Sequence, residues 1–596
     1  MTMQSHKLIL ILFVISLTPA GAPLMAQTSQ SAGAINGDWL GVLPVVADVT
    51  LRLRLKITAA ADGSLTALLD SPDQNASNIT VDSVSFQNGV LRFEMKAQRI
   101  TFEGSLLREG EILGTFTQGG APARLILRKE GVAFPNTPVK RGRVELRPCN
   151  DPFLTSDMLC GKYEVFEDRA ARTGRRISLN LVVLPALSAK PAPDPVFYMA
   201  GGPGGAATSY AKGNLLNGLR RHRDVVLVDQ RGTGQSNLLD CPQPGSILDM
   251  RGYFGEVMPL EKIRACRVEL EKIADLKLYT TPIAMDDLDE VRSALGYEQI
   301  NVYGGSYGST TTLAYLRQHP DHVRTVAVMG VAPFSMKLPL SFSRGTQDAV
   351  DRMFADCAAD AACHAAYPDL ANDFKTVLAQ FDKGPVEVSA MNPFTGSAQT
   401  VTVTRDAFVD GIRQILFQPP IAAALPALIH LGAKGNLGPL VTRAFPVVLT
   451  ISSSIARGMQ FSVICGEQVP FITPEEIKTT SANSFYGDAR VRPTIRACTE
   501  WPRAKVDPSF LDPVKSDKPA LVIAGQLDPV TPPWLAEQVA KTLSRSRLIV
   551  VPNATHASYE CLENLVGDFI DKGTTEGLDV SCVNQIKRPP FLIVKQ

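Results

Sequence analysis

Ser306 lies between Gly304 and Gly308 in a G-x-S-x-G pattern, which is typical of a serine that attacks carbonyl groups. Residues 300–303 predict a short buried strand before it, and residues 310–319 predict a helix that ends at a proline. A strand, a sharp turn with small neighbours and a helix would expose the serine hydroxyl at a helix N-terminus. The alternative is a Gly-Ser turn without chemistry, so the pattern needs partners elsewhere in the chain.

Partners of the right type follow later in the chain. A serine hydroxyl is a poor nucleophile at neutral pH, so it needs a base, and the base needs an acid that fixes its tautomer. Of the seven histidines, only His556 comes after the serine strand and after an aspartate at the end of a predicted strand. That aspartate is Asp528, which follows a predicted strand over 520–525. Each residue alone could be an ordinary loop residue, but their order predicts a catalytic Ser306–Asp528–His556 triad.

A glycine-rich loop, residues 200–205, follows a predicted strand at 196–199. It lacks the G-x-G-x-x-G spacing of a dinucleotide site, and no Lys-Ser/Thr pair follows as in a phosphate-binding loop. Glycines without a Cβ let backbone N–H groups approach a substrate oxygen closely. The loop is therefore predicted to stabilise an oxyanion.

The elements that would position these residues read as an α/β fold. From about residue 142 the sequence alternates predicted strands and helices, which indicates a mostly parallel sheet with helices on both faces. The alternation stops over 335–515, where helical patterns surround a β-like stretch at 386–403, and it resumes at 516. The segment 335–515 is therefore predicted to be a largely helical cap inserted between a first core part (142–334) and a last core part (516–596).

The residues before the α/β pattern form a different kind of unit. Period-two alternation of apolar and basic residues, with Asp-Gly and Asn-Gly turns, predicts a small all-β barrel or sandwich over 34–131. No group of residues in it suggests catalysis, so we interpret it as a structural or substrate-docking module. At 596 residues the chain is long enough for several such domains.

The N-terminus has the layout of an export signal. Lys7 precedes an apolar run over residues 8–17, and small residues lead to a predicted cleavage site after Ala26, which makes residues 1–26 a signal peptide. The run is too short to cross a bilayer, which takes about twenty apolar residues. We expect a secreted or periplasmic protein with no membrane anchor after cleavage. The net charge of +1 gives no reason to expect a nucleic-acid partner.

Ten cysteines agree with an oxidising compartment. Pairing within neighbouring couples is the economical hypothesis, although sequence alone leaves the connectivity open. A metal site would need C-x-x-C-like clusters with histidines nearby, and only the adjacent Cys363 and His364 approach one, so we expect no metal and no cofactor. The disulfide candidates are Cys149 and Cys160, Cys241 and Cys266, Cys357 and Cys363, Cys465 and Cys498, and Cys561 and Cys582.

Taken together, these motifs resemble a known family. From about residue 145 to 590 the chain is similar to secreted α/β-hydrolase peptidases of the tripeptidyl aminopeptidase and proline iminopeptidase family. Tyr307 after the serine, and Cys465 with Cys498 before Trp501, favour the tripeptidyl branch. The matching motifs are Gly-Gly-Pro-Gly at 201–204, Asp-Gln-Arg-Gly-Thr-Gly at 229–234, Gly-Gly-Ser-Tyr-Gly at 304–308, Asp-Pro-Val-Thr-Pro at 528–532, and the late His556.

The resemblance implies roles for three further residues. The backbone N–H of Tyr307 and one from Gly202 or its neighbours would form the oxyanion hole. An aminopeptidase must also bind a free α-ammonium group, and Glu467 is the candidate, since relatives place an acidic residue there. The alternative for Glu467 is a solvated glutamate of the cap.

The sequence departs from the family at three positions that bear on fine specificity. Ala200 stands where many relatives carry histidine, and Thr555 and Ala557 flank His556 where glycines are usual.

The resulting hypothesis is an exported serine hydrolase, an aminopeptidase that releases short peptides or single residues from free peptide N-termini. The alternatives are a carboxylesterase on the same fold and a binding protein with a vestigial hydrolase domain.

Overall fold

The computed structural model describes residues 32–46, 49–556 and 559–594. The predicted signal peptide, residues 1–26, therefore lies outside the described residues, and so does Ala557. The chain divides into two compact units, the first made of residues up to 40, 53–123 and 127–130 and the second of the other described residues. The described residues form two large sheets, one of nine strands and one of ten.

The N-terminal part of the chain carries one antiparallel sheet of nine strands, curved as a half-barrel. Along its second strand Leu53, Leu55 and Ile57 are buried, because alternate side chains of a strand point to the same face. The prediction of an all-β N-terminal part is confirmed, as one curved sheet. Its strands are β1 (Gly37–Val46), β2 (Val49–Ala59), β3 (Leu65–Ser71), β4 (Ala76–Thr80), β5 (Ser83–Gln87), β6 (Val90–Met95), β7 (Ile100–Arg108), β8 (Glu111–Gln118) and β9 (Ala121–Lys129), in the order β4-β3-β2-β1-β9-β8-β7-β6-β5.

The second unit is built on a sheet of ten strands, in the order β10-β11-β12-β13-β15-β14-β16-β17-β20-β21. The strands from β15 to β21 in this order are parallel, and those before them pair antiparallel. The predicted α/β-hydrolase architecture with a mostly parallel sheet is confirmed. The strands are β10 (Val139–Arg141), β11 (Val144–Pro148), β12 (Leu159–Phe166), β13 (Arg176–Leu184), β14 (Val196–Met199), β15 (Val225–Val228), β16 (Ile300–Ser306), β17 (Val323–Val331), β20 (Ala520–Gly525) and β21 (Ser546–Val551).

Helices cover both faces of this sheet, which explains why its central strands read as continuous apolar runs. On one face the sheet packs with α2, α3 and α14 in a single apolar core, and on the other face it packs with α15. These helices are α2 (Thr281–Leu295), α3 (Tyr307–Gln318), α14 (Pro533–Ala540) and α15 (Glu560–Lys572), whereas α1 (Leu260–Leu270) belongs to another apolar cluster.

Residues 332–519, here named the helical insertion, separate β17 from β20 and form a further apolar core together with Met250 and Phe254. They contain one hairpin, β18 (Val386–Met391) with β19 (Ala398–Val403). The domain boundaries at 334/335 and 515/516 stay predictions. The helices are α4 (Phe342–Ala359), α5 (Ala361–Ala366), α6 (Leu370–Ala379), α7 (Arg405–Ile415), α8 (Pro419–Ala422), α9 (Leu425–Ala433), α10 (Gly438–Ser453), α11 (Arg457–Glu467), α12 (Pro474–Ser481) and α13 (Val491–Thr499).

Within the described ranges, no single helix has both the length and the apolarity that a membrane span requires. Only a pair bent by 117°, Arg405–Ile415 with Pro419–Ala433, meets both criteria when its two halves are combined.

Five disulfides join the cysteines in the neighbouring couples of the sequence, from Cys149–Cys160 to Cys561–Cys582. Cys465–Cys498 connects α11 to α13 within the helical insertion. Disulfides persist in oxidising compartments, so these five suggest an extracytoplasmic location.

Candidate active site

The serine motif forms a sharp turn between β16, which ends at Ser306, and α3, which begins at Tyr307. Ser306 adopts φ +57° and ψ −130°, a conformation that non-glycine residues rarely take. A Cβ on Gly304 would lie 2.2 Å from the Gly308 carbonyl oxygen, and one on Gly308 would lie 2.1 Å from that of Met199. Both obstacles are backbone atoms, so only glycine fits at either side of the serine.

Asp528 and His556 lie on the loops that follow β20 and β21 and are in direct contact. The Nδ1 atom of His556 is 2.7 Å from Oδ2 of Asp528. The same carboxylate accepts hydrogen bonds from the N–H groups of Val530 and Thr531 and from the Thr531 hydroxyl. Burial acts to raise the pKa of Asp528, but His556 and the Thr531 donors outweigh it and lower the pKa below its usual value. Asp528 is therefore ionised and holds the imidazole by its Nδ1 side.

Ser306 and His556 approach each other around the end of β17. Ser306 pairs in register with Val331, the last residue of that strand. A Cβ on the preceding residue, Gly330, would lie 3.3 Å from Cε1 of His556. The predicted nucleophile and the predicted base thus border adjacent residues of one strand, at the carboxyl edge of the parallel sheet.

The glycine-rich loop, residues 200–205, lies against the serine. A Cβ on Gly201 would lie 3.7 Å from Oγ of Ser306, whereas one on Gly202 would meet the amide nitrogens of the loop itself. Gly201 is therefore the loop residue next to the serine, one position before the predicted donor Gly202. Tyr307 opens α3, and the first N–H groups of a helix have no partner within that helix. Both predicted sources of oxyanion donors therefore border Ser306.

Tyr307 and Glu467 are joined by a buried chain of hydrogen bonds. The Tyr307 hydroxyl is 2.6 Å from the Thr281 hydroxyl, which donates to Oε2 of Glu467 over 2.6 Å. The other carboxylate oxygen accepts the N–H of Thr281 at the start of α2. Glu467 has 0% exposure, which excludes the alternative of a solvated glutamate. Burial raises its pKa from 4.5 to about 7.

The raised pKa of Glu467 makes folding stability depend on pH. Between about pH 4.5 and 7 the folded chain keeps a proton that the unfolded chain has lost, so stability from this group falls as pH rises, by about 3 kcal/mol in total. Glu467→Gln cannot ionise and is expected to remove this part of the pH dependence. Urea unfolding of both proteins at about pH 5 and pH 8 measures the difference. Equal changes in the free energy of unfolding would contradict the prediction.

The motif at 229–234 links elements around the site to one another. Asp229 accepts the N–H and the hydroxyl of Thr208, in the short helix that follows the glycine-rich loop. Arg231 is wholly buried and donates from two nitrogens to both carboxylate oxygens of Asp287 on α2. This pair links the loop to α2. Loss of either partner would be costly, because it would leave the other charge buried and uncompensated.

The sequence does not predict how the helical insertion contacts His556 and the residue before it. The Phe417 ring, from the helical insertion, has its centroid 5.3 Å from that of the imidazole. Thr555, which departs from the family pattern, donates its hydroxyl to the Phe417 carbonyl oxygen over 2.9 Å. The insertion is distant in sequence, so only the folded chain reveals this contact.

One group of described residues has the geometry to hold a metal ion: Asp289, His319 and His322. Oδ1 of Asp289 is 2.7 Å from Nδ1 of His322. The same oxygen already accepts hydrogen bonds from Arg292 and from the Tyr315 hydroxyl. An ion would have to compete with these donors, so the group acts in this structure as a hydrogen-bonded link between α2 and the end of α3.

Comparisons with known proteins agree with this geometry. A model of the alpha/beta hydrolase fold matches residues 194–560. The serine protease Hip1 of Mycobacterium tuberculosis is 23% identical over 79% of this chain and 95% of its own length. The tripeptidyl aminopeptidase of Streptomyces coelicolor is 23% identical over 76% of this chain and 88% of its own. The relation that the motifs predicted is thereby confirmed.

Among solved structures, the proline iminopeptidase of Mycobacterium smegmatis covers 69% of this chain and 98% of its own at 16% identity, with a TM-score of 0.33 that supports no further argument. The match to residues 194–560 is what decides the family, because it takes in every strand of the sheet from β14 onward. The chain belongs to the α/β-hydrolase fold family.

Proposed function

We propose that this protein is a serine hydrolase that acts as an aminopeptidase, with Ser306 as nucleophile, His556 as base and Asp528 as the orienting acid. One observation supports the proposal above all. The serine turn and the Asp528–His556 pair lie beside adjacent residues at the end of β17. The relatives named serine protease and tripeptidyl aminopeptidase support a peptide as the substrate.

The mechanism follows from these positions. Nε2 of His556 takes the proton of the Ser306 hydroxyl as the oxygen attacks the substrate carbonyl carbon. The negative charge that develops on the carbonyl oxygen is stabilised by the N–H of Tyr307 and an N–H of the glycine-rich loop. The protonated His556 then donates its proton to the leaving amine, and Asp528 stabilises the imidazolium. Water, activated by the same histidine, releases the acyl group from Ser306.

The finer part of the proposal is that Glu467 binds the α-ammonium group of the substrate. Its support is its place at the end of a chain of hydrogen bonds that starts at Tyr307, next to the nucleophile. A second role competes with this one, because both carboxylate oxygens accept hydrogen bonds from Thr281 and thereby hold the Tyr307 ring. The two roles differ in the substrates that a Glu467 variant would affect.

A comparison of free and acetylated substrates tests the function. The wild-type protein is expected to cleave peptide naphthylamides with a free amino group about 10- to 100-fold faster, in kcat/KM, than their N-acetylated forms, since a charged hydrogen bond contributes about 1.5–3 kcal/mol. Glu467→Gln is expected to remove most of this preference through a raised KM. Glu475→Gln, at an exposed glutamate in α12, is the matched control.

Three outcomes contradict parts of the proposal. Equal rates of the wild-type protein on both substrates would exclude the aminopeptidase, and activity on short acyl esters alone would favour a carboxylesterase. If Glu467→Gln slows both substrates equally, Glu467 supports the Tyr307 ring and does not bind the ammonium group.

A further inference from the structure

Three arginines gather in the helical insertion around one buried aspartate. Oδ1 of Asp410, on α7, accepts hydrogen bonds from Arg413. Oδ2 of the same aspartate forms an ion pair with Arg490 over 3.3 Å. The Tyr486 hydroxyl donates to the same carboxylate. Asp410 and Arg413 are 4% and 5% exposed, so this pairing is built into the core of the insertion. Arg457, the first residue of α11, completes what we name the arginine cluster: Arg413, Arg457 and Arg490.

Two contacts link the cluster to the candidate active site. On the side of the base, the Arg413 guanidinium lies 5.3 Å from the centroid of the Phe417 ring, and that ring faces His556. On the side of the oxyanion donors, Ala456 donates its N–H to the carbonyl oxygen of Gly204 over 2.9 Å. Arg457 comes directly after that contact. The cluster therefore borders the space in which a substrate of Ser306 would lie.

Arg457 differs from its two neighbours because it forms no ion pair among the described residues. Its guanidinium donates to two neutral oxygens, those of Gln460 at 3.1 Å and of the Ser452 hydroxyl at 3.4 Å. Asp240 is near, but its carboxylate accepts the backbone N–H of Arg457. Burial and the nearby Arg490 lower the pKa of Arg457 to about 10, and it still carries its charge at neutral pH.

The charges of this region do not balance. Three guanidinium groups share this region with two carboxylates, those of Asp410 and Asp240, so these five groups carry an excess of one positive charge. An uncompensated charge inside a protein is costly, so such groups are normally paired. Arg457 keeps part of its surface exposed. A guanidinium without a carboxylate partner has two parallel N–H donors that match a carboxylate.

We propose that Arg457, backed by Arg490, binds a carboxylate group of the substrate. The inference rests on the proposed function, since it assigns a subsite to the substrate of Ser306. The carboxylate is either the free C-terminus of a short peptide or an Asp or Glu side chain within it. Arg413 does not take part directly, because Asp410 and the two aromatic rings of Phe342 and Phe417 already occupy its guanidinium.

The length of α11 indicates how many residues such a peptide substrate would have. Arg457 and Glu467 are the first and last residues of this helix. Ten steps of about 1.5 Å place their backbones about 15 Å apart. An extended peptide covers about 3.3–3.6 Å per residue, so about four or five residues span that distance. Peptides of three to six residues are therefore the right probes.

Binding to an inactive protein tests the proposal without turnover. In a Ser306→Ala background, peptides with a free amino group and a C-terminal carboxylate are expected to bind about 10- to 100-fold more tightly than their C-terminal amides, measured by calorimetry. A second pair of C-terminal amides, one with an internal Glu and one with Gln, separates the two sources of the carboxylate. Adding Arg457→Gln is expected to remove the preference, and Arg457→Lys to keep part of it.

The control is Arg492→Gln on α13, an exposed arginine that pairs with Asp488 and is expected to leave the preference intact. Thermal unfolding of each variant identifies loss of the fold. Equal binding of acid and amide in both pairs would overturn the proposal, and so would a preference that survives Arg457→Gln. If the wild-type protein hydrolyses no peptide yet the acid preference is present, the proposed function fails and the carboxylate site stands.

Discussion

Ser306→Ala is expected to lower kcat on peptide and ester substrates by about 10⁵- to 10⁶-fold, because the attacking oxygen is lost and only substrate binding and oxyanion stabilisation remain. The turn itself should persist, since the glycines on either side of the serine shape it. The measurement is kcat together with labelling by a fluorophosphonate, which should attach to the wild-type peptide that contains Ser306 and to no peptide of the variant.

Ser335→Ala provides the control for this change. Ser335 is an exposed serine shortly after β17, and its hydroxyl contacts Gln538. Its replacement should leave kcat and labelling unchanged. If Ser306→Ala keeps its activity, the nucleophile is another group and the mechanism is wrong.

Asp528→Asn is expected to lower kcat by about 10⁴-fold with little loss of stability, the size of loss found when the acid of such a triad becomes an amide. The side-chain oxygen of asparagine can still accept the N–H groups of Val530 and Thr531, so the loop keeps its shape. The amide nitrogen would face Nδ1 of His556, favour the tautomer with its proton on Nε2, and leave the imidazolium without a counter-charge.

The pH profile separates this effect from a general disturbance of the site. Kinetic measurements on Asp528→Asn should show activity that recovers toward alkaline pH, where hydroxide can take over part of the role of the base. Asp348→Asn, at an exposed aspartate on α4, serves as the control. A loss of less than tenfold for Asp528→Asn would mean that the contact with His556 does not matter for the reaction.

Much of the fold was predictable from local patterns. The strand before Ser306, the strands before Asp528 and His556, and the hairpin in the insertion all follow from short-range apolar periodicity and turn residues. The order of the three residues then placed them on neighbouring loops, because parallel strands present their carboxyl ends at the same edge of the sheet. The structure brings Asp528 and His556 into hydrogen-bond distance, as that reasoning requires.

The remaining features depend on contacts between segments that are distant in sequence. Thr281, which joins Tyr307 to Glu467, lies 186 residues before that glutamate. Phe417 reaches His556 from the insertion, 139 residues upstream, and no local pattern indicates such a contact. The sequence also could not tell which glycine of the glycine-rich loop lies next to Ser306. Only the directions in which a Cβ would point distinguish Gly201 from Gly202.

The two glycines beside Ser306 also constrain how this protein can evolve. The space where a side chain would go at Gly304 or Gly308 is filled by main-chain oxygens, which no compensating side-chain change elsewhere can remove. A single substitution at either glycine is therefore expected to disrupt the turn that holds Ser306. Adaptation to new substrates therefore has to proceed through side chains that the insertion contributes near the site, as at Phe417, while the elbow passes unchanged from ancestor to descendant.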